Sequence, residues 1–239
     1  MIEALECIIL RVIPHSDRSV IVTCFSDRAG RVSFVTPAGN GREARRRRAL
    51  MMPCAVLRCV ADVKPGALMR IRDVSRPPGL PDLWANPVKS AVAFFVADLL
   101  DSLTRQSDVD ESLYRFLRSS VDCLGAGGPV ATANFHLAFM AGLIRHAGIE
   151  PDGSTYRRGH VLDLRDGVYR AAPPLHNDFL EPDESGAASV VMAMNMRNRK
   201  LFRFNHVQRN RVMDVMLTYI SLHLCDIRGL RSVEILRSL

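Results

Sequence analysis

The spacing of hydrophobic positions changes character near residue 80. Upstream, apolar residues come in short runs rich in Ile, Val, Thr and Phe, at 5–13, 19–25, 31–36, 49–63 and 67–74. These residue types suit a pleated, half-buried surface, so each run predicts a strand. Asp27-Arg28-Ala29-Gly30 and Lys64-Pro65-Gly66 predict tight turns, with Gly30 suited to positive φ. Pro53, which cannot donate to a ladder, predicts an edge or a bulge in the fourth run. Five strands in fewer than eighty residues predict a small barrel, with the five-stranded OB-fold barrel as the leading form.

Arg76-Pro77-Pro78-Gly79-Leu80-Pro81 reads as a linker, dividing a domain 1–78 from a mainly α-helical domain 79–239. Asn86 followed by Pro87 predicts a capped helix reaching about residue 105. Asp108 with Glu111 resembles a capping box, opening a second helix that ends before Gly125. Pro129 opens a third, with Phe135, Phe139, Leu143 and Ile144 on one face and Gly148 as its stop. A small hairpin insert, about 158–172, turns at Asp166-Gly167. Asn205 with Gln208 predicts another capping box, ahead of a helix with Val212, Val215, Met216, Tyr219 and Leu222 on one face. The fold class is α+β.

Charge adds a function to this outline. Residues 1–78 hold fourteen Lys and Arg against seven Asp and Glu, and residues 79–239 hold eighteen of each, so the whole net charge of +7 lies in the predicted barrel. Its focus is Arg42, Arg45, Arg46, Arg47 and Arg48. Four consecutive side chains cannot all face one way on a regular element, which predicts a loop. Such a cluster favours a polyanion, and arginine grips phosphate in a bidentate fork. The predicted barrel's only aromatics, Phe25 and Phe34, are expected in the core. Binding should then be mainly electrostatic, tolerant of sequence and weakly selective between single and double strands.

A second basic group, Arg197, Arg199, Lys200, Arg203, Arg209 and Arg211, is interleaved with Phe202, Phe204 and His206. It can extend a DNA path, hold an acidic partner segment, or be a charged face over buried phenylalanines. The six cysteines are scattered without a Cys-x-x-Cys pair, which predicts buried, reduced thiols and no metal knuckle. The seven histidines and the dispersed carboxylates form no recognisable catalytic set, so no catalytic residues and no cofactor are expected. The acidic start, Met1 to Glu6, lacks signal-peptide character, and no apolar run spans a bilayer, which predicts a cytoplasmic protein that engages no membrane. A nuclease would need grouped carboxylates near the basic surface. An RNA-binding accessory barrel protein is the alternative that composition leaves open.

Several words of the sequence resemble the RecO family of bacterial DNA repair proteins. In the N-terminal third they are Ile8-Ile9-Leu10-Arg11, Ser16 to Thr23 and Gly30-Arg31-Val32-Ser33, followed by a basic loop in register with the family's. In the C-terminal half, Ala133-Asn134-Phe135-His136-Leu137, Met194-Asn195, Leu201 to Asn205, Gln208-Arg209-Asn210, 217–224 and Leu230 to Leu236 are similar to the Bacteroides-type branch. The resemblance implies a non-enzymatic recombination mediator. It would bind single- and double-stranded DNA through Arg31 and the arginine run, anneal complementary strands, and help RecR load RecA. The acidic C-terminal tail of single-stranded-DNA-binding protein would meet the second basic group. Many relatives hold zinc through cysteines in the segment matching 150–185. This chain has no cysteine there, so no zinc is expected and local packing must hold the segment.

Overall fold

The computed structural model describes residues 2–37, 41–62, 68–80, 82–105, 109–227 and 229–238. Two compact units emerge, Met1–Gly127 together with Leu230–Ser238, and Gly128–Gly229. The first is built on β1 (Ile2–Ser16), β2 (Ser19–Ser26), β3 (Gly30–Pro37), α1 (Arg42–Leu50), β4 (Val56–Asp62) and β5 (Met69–Ser75). The strands close into a barrel in the order β1-β2-β3-β5-β4. All neighbours are antiparallel except β3 and β5, which meet parallel through Phe34 and Met69. This is the expected OB barrel. Strand β1 serves both sides, pairing with β2 and β4, and register shifts after Ile9 and Pro14 let it bend.

Alternation fills the barrel. Leu5, Cys7 and Ile9 of β1, Val22 and Cys24 of β2, Val32 and Phe34 of β3, and Leu57, Cys59 and Ala61 of β4 point inward at a period of two. Phe25 and Phe34 are fully buried, as the sequence predicted. Gly30 makes the β2–β3 turn at φ +58°. The fourth strand starts later than its apolar run, because residues 49 and 50 end α1 and Pro53 lies in the turn before Val56. The Lys64-Pro65-Gly66 turn falls outside the described residues. Cys7, Cys24, Cys54 and Cys59 are buried free thiols. The neighbouring Cys24 thiol and burial raise Cys7, and burial pushes Cys54 up to about 12, which keeps these sulfurs unreactive.

Two helices follow the barrel in this unit. α2 (Pro87–Leu103) starts at Asn86, whose Oδ1 accepts the Lys89 N–H at 3.1 Å. α3 (Glu111–Ala126) is capped by Asp110, which accepts the Leu113 N–H at 2.8 Å. The cap is thus Asp110, while Asp108 lies outside the described residues. The compact units do not divide at the Pro-rich segment, since α2 and α3 cluster with the barrel.

In the second unit, α4 (Pro129–Ala133) and α5 (Phe135–His146) replace the single predicted helix. Asn134 interrupts it, because its side chain donates to the carbonyls of Arg199 and Phe202 at 3.0 and 2.8 Å. Gly148 follows α5 at φ +68°. β6 (Val161–Asp163) and β7 (Val168–Arg170) form the predicted hairpin, and β8 (Phe179–Leu180) adds a third strand that the pattern did not announce. Gly167 sits at φ +67°, and a Cβ there would lie 2.7 Å from the Tyr219 hydroxyl, so both the turn and the close approach require glycine. α6 (Pro182–Met192) precedes α7 (His206–His223), which carries the predicted Asn205/Gln208 capping box. Its buried face is Met213, Met216, Tyr219 and Ile220, while Leu222 is exposed. α8 (Ser232–Arg237) returns to the first unit, where the Ser232 hydroxyl donates to Asp98 at 2.7 Å.

Candidate nucleic-acid interface

The arginine run is a helix, not a loop. Arginine, alanine and leucine are good helix formers, and α1 contains little else. Only one stripe must face the protein. Ala44, Arg47 and Leu50 are half-buried, Leu50 packs on the barrel core, and Met51 just beyond is buried. Arg42, Arg45, Arg46 and Arg48 are exposed. Arg42, Arg45 and Arg46 share one face by their i, i+3, i+4 spacing. The end of the helix is anchored by Cys54, whose N–H donates to the Ile9 carbonyl at 2.7 Å from a positive φ of 59°.

The helix is electrostatically unfavourable at its start. Its N-cap, Gly41, offers no side-chain acceptor to the first-turn N–H groups. Arg42 and Arg45 add positive charge where the helix dipole is already positive, and only Glu43 opposes them in sequence. Like charges at i, i+3 and i, i+4 cost a few tenths of a kcal/mol each. A bound anion relieves all three effects at once. Arg47 and Arg48, in the last turn, favour the dipole instead.

Arg31 behaves differently from the arginines of α1. It lies on the outer face of β3, where alternation places it opposite the inward Val32 and Phe34. Its Nη2 donates to Asp101 Oδ1 at 2.6 Å, and its Nη1 donates to the Asp101 carbonyl and Thr104 Oγ1 at 3.0 and 3.1 Å. Asp101 is buried on α2, so Arg31 is its nearest counterion, with Arg11 3.7 Å from the other carboxylate oxygen. Sequence alone gave no sign of Asp101 as the partner, because seventy residues separate the two.

The second basic group divides in half. Arg199 is buried, donating from Nε to the Ala131 carbonyl at 3.0 Å and from Nη1 to the Met196 carbonyl, with its guanidinium 5.7 Å from the Phe135 ring centre. Arg209 donates to the Phe204 carbonyl at 3.2 Å and faces Asn134 Oδ1 at 3.4 Å. Arg211 forms a fork with Glu184 at 2.6 and 2.9 Å, which holds the Glu184 carboxyl below its usual range. Arg197, Lys200 and Arg203 are exposed. Phe202 and Phe204 are half-buried and pack on each other at 5.9 Å, on extended chain rather than on a helix. His136 is buried nearby. Burial first, and the Arg209 charge second, lower its pKa to about 3, so it stays neutral.

The segment 150–185 is organised around a carboxylate. Asp163, buried, accepts the N–H groups of Arg165 and Asp166 at 2.9 and 3.2 Å and pairs with Arg170 and His176 at 3.2 and 3.4 Å. His176 Nδ1 in turn accepts the Asp178 N–H at 3.2 Å. Its two ring nitrogens therefore face an acid and a backbone donor. Among the described residues no three His, Cys, Asp or Glu side chains group as metal ligands. The donor set does not fit a structural zinc. No described helix is long and apolar enough to cross a membrane.

A five-stranded OB barrel defines a class whose members commonly bind oligonucleotides or oligosaccharides. Comparison narrows the class. Residues 1–75 match the family model "Recombination protein O N terminal", and residues 85–229 match "Recombination protein O C terminal". Relatives called DNA repair protein RecO align along the whole chain. That of Bacteroides fragilis is 30% identical over 241 residues, covering 100% of this chain and 99% of the relative. That of Phocaeicola vulgatus is 29% identical over 240 residues with the same coverage. That of Flavobacterium psychrophilum is 22% identical, covering 97% of this chain and 96% of its own. The chain belongs to the RecO family of DNA repair proteins.

Proposed function

We propose that this chain is a non-enzymatic recombination mediator of the bacterial cytoplasm. Its DNA-binding part is the barrel, residues 1–78, and its contact is α1. Arg42, Arg45, Arg46 and Arg48 neutralise phosphates of single- and double-stranded DNA without reading sequence. By reducing repulsion between two strands, the helix lets complementary strands anneal. Residues 79–239 serve its partners, RecR and the acidic tail of single-stranded-DNA-binding protein, in loading RecA. Arg197, Lys200 and Arg203, exposed beside Phe202 and Phe204, suit such a tail through carboxylate pairing and apolar contact. The observation that carries the reading is a helix with four outward arginines and an uncapped N-terminus on an OB barrel. The test is annealing of complementary oligonucleotides coated with single-stranded-DNA-binding protein, by the wild type and by an Arg42/Arg45/Arg46/Arg48→Ala variant. Fast annealing by the wild type and none by the variant supports it. Equal annealing by both, or tighter binding of RNA than DNA, refutes it.

A further inference from the structure

The sequence predicts a barrel without stacking groups, yet the fold brings an aromatic side chain to the arginine helix. Ala49 and Leu50, at the end of α1, line one recess with Arg76, Leu80, Leu83 and Trp84. The recess has a volume of about 30 Å³. That is room for about two waters and too little for a base, so a planar ligand must lie across its mouth. Trp84 is half-buried there, and Arg76 is exposed, its Nη2 donating to the Leu80 carbonyl at 3.0 Å.

Trp84 is held in place locally. Asp82 Oδ1 accepts its backbone N–H at 3.1 Å, an Asx turn, and the next residue back is tied down by Ser90 Oγ, which donates to the Leu83 carbonyl at 3.3 Å. Its indole meets Phe94 edge-to-face, with centroids 5.7 Å apart. Phe94 is itself 40% exposed. An edge-to-face pair leaves ring surface that the partner ring does not cover. On α1, Arg46 lies on the stripe of Ala49 and Leu50, about one 5.4 Å turn from the recess. A phosphate gripped by Arg46 thus lies about one helical turn from the recess that Trp84 and Arg76 line.

We infer that the mouth of this recess is a nucleobase-stacking subsite: an unpaired base of a single strand lies on Trp84 while Arg46 and Arg76 hold the flanking phosphates. A base inside a duplex is already stacked on both faces and cannot reach Trp84. The subsite therefore gives the interface a preference for single strands that charge alone does not. This rests on the reading of α1 as the DNA contact.

Trp84 is the chain's only tryptophan, so its emission reports on this place alone. The full-length protein is titrated with a labelled oligothymidylate of about fifteen nucleotides, matching the span of a single OB-fold site. Label anisotropy reads binding, and tryptophan emission reads stacking. A duplex of equal length and inorganic polyphosphate are run in parallel. The expected result is strong quenching by the single strand and little by duplex or polyphosphate. Trp84→Ala should weaken single-strand binding about tenfold and leave duplex binding within about twofold, with Trp84→Phe restoring most of the loss. Binding of the oligonucleotide by anisotropy without any change in emission overturns the subsite and leaves the α1 reading standing. So does an equal loss of single-strand and duplex affinity in Trp84→Ala. Absence of binding by anisotropy overturns both.

Discussion

The arginines of α1 and the cations of residues 197–211 are similar in number and differ in what surrounds them. On α1 the Ala44, Arg47 and Leu50 stripe is half-buried, while Arg42, Arg45, Arg46 and Arg48 are exposed. Ahead of α7, residues 194–205 are largely irregular, and carbonyls there need donors. Arg199 and Arg209 supply them, with Asn134 bonded to both ends of the same segment. The carbonyls of a regular helix bond within the helix, whereas carbonyls of the irregular segment take side-chain donors, among them Arg199 and, from α7, Arg209. Counting basic residues does not separate the two cases. Knowing which nearby carbonyls and carboxylates lack another donor does.

The largest effect that would break this contrast concerns α1. Arg42/Arg45/Arg46/Arg48→Ala should lower DNA affinity about a thousandfold at low salt, measured by anisotropy. Its melting temperature should stay within about 2 °C, because exposed substitutions move stability little and alanine favours the helix. Arg199→Ala should do the reverse. Leaving the Ala131 and Met196 carbonyls without their donor should cost about 3 kcal/mol in denaturant unfolding, with DNA affinity within about twofold. Lysine should not rescue it, since it cannot make the same fork over Phe135.

Arg31 sharpens the comparison inside the barrel itself. Arg31→Ala leaves the buried Asp101 carboxylate only the more distant Arg11, at 3.7 Å, and should cost about 2 kcal/mol while the salt dependence of DNA binding is unchanged. A shallower salt slope would return Arg31 to the DNA contact. His136 tests the second unit by pH. Its pKa is lowered on folding, so the unfolded chain binds the proton first as pH falls. Stability is complete above about pH 6.5 and drains away as pH drops from there toward 3. The loss between pH 7 and pH 5 should be about 2 kcal/mol, and His136→Gln should remove it. The smallest change is at the exposed Arg211–Glu184 pair, where Glu184→Gln should cost about 0.5 kcal/mol by thermal unfolding.

Much of the fold was legible because its signals are local. Asn86 before Pro87, Asn205 with Gln208, and Asp166-Gly167 each act within four residues, and each stands where the sequence placed it. The barrel followed from period-two runs and turn residues. The arginine run misled because like-charge crowding costs only tenths of a kcal/mol per pair, less than the helix propensity and the anchoring of Leu50 and Met51 supply. The Asn134 break, the Arg31–Asp101 pair and the approach of Trp84 to α1 depend on residues thirty to seventy positions apart. Periodicity carries no information at that range. The family words of the C-terminal half gain a physical meaning here. Asn134 and Asn205 brace one irregular segment, and Asn195, which accepts the N–H groups of Arg197 and Asn198 at 2.9 and 3.1 Å, turns its start.

The central claim, that α1 is the polyanion contact and the 197–211 cations are not, is tested most directly by the salt dependence of duplex binding. The logarithm of affinity is plotted against that of salt for the wild type, the α1 variant and an Arg197/Lys200/Arg203→Ala variant. Four phosphates neutralised by α1 predict that its variant loses about 3.6 from the slope, while the other variant keeps the wild-type slope. An unchanged slope in the α1 variant, with the loss appearing in the Arg197/Lys200/Arg203 variant, would contradict the account.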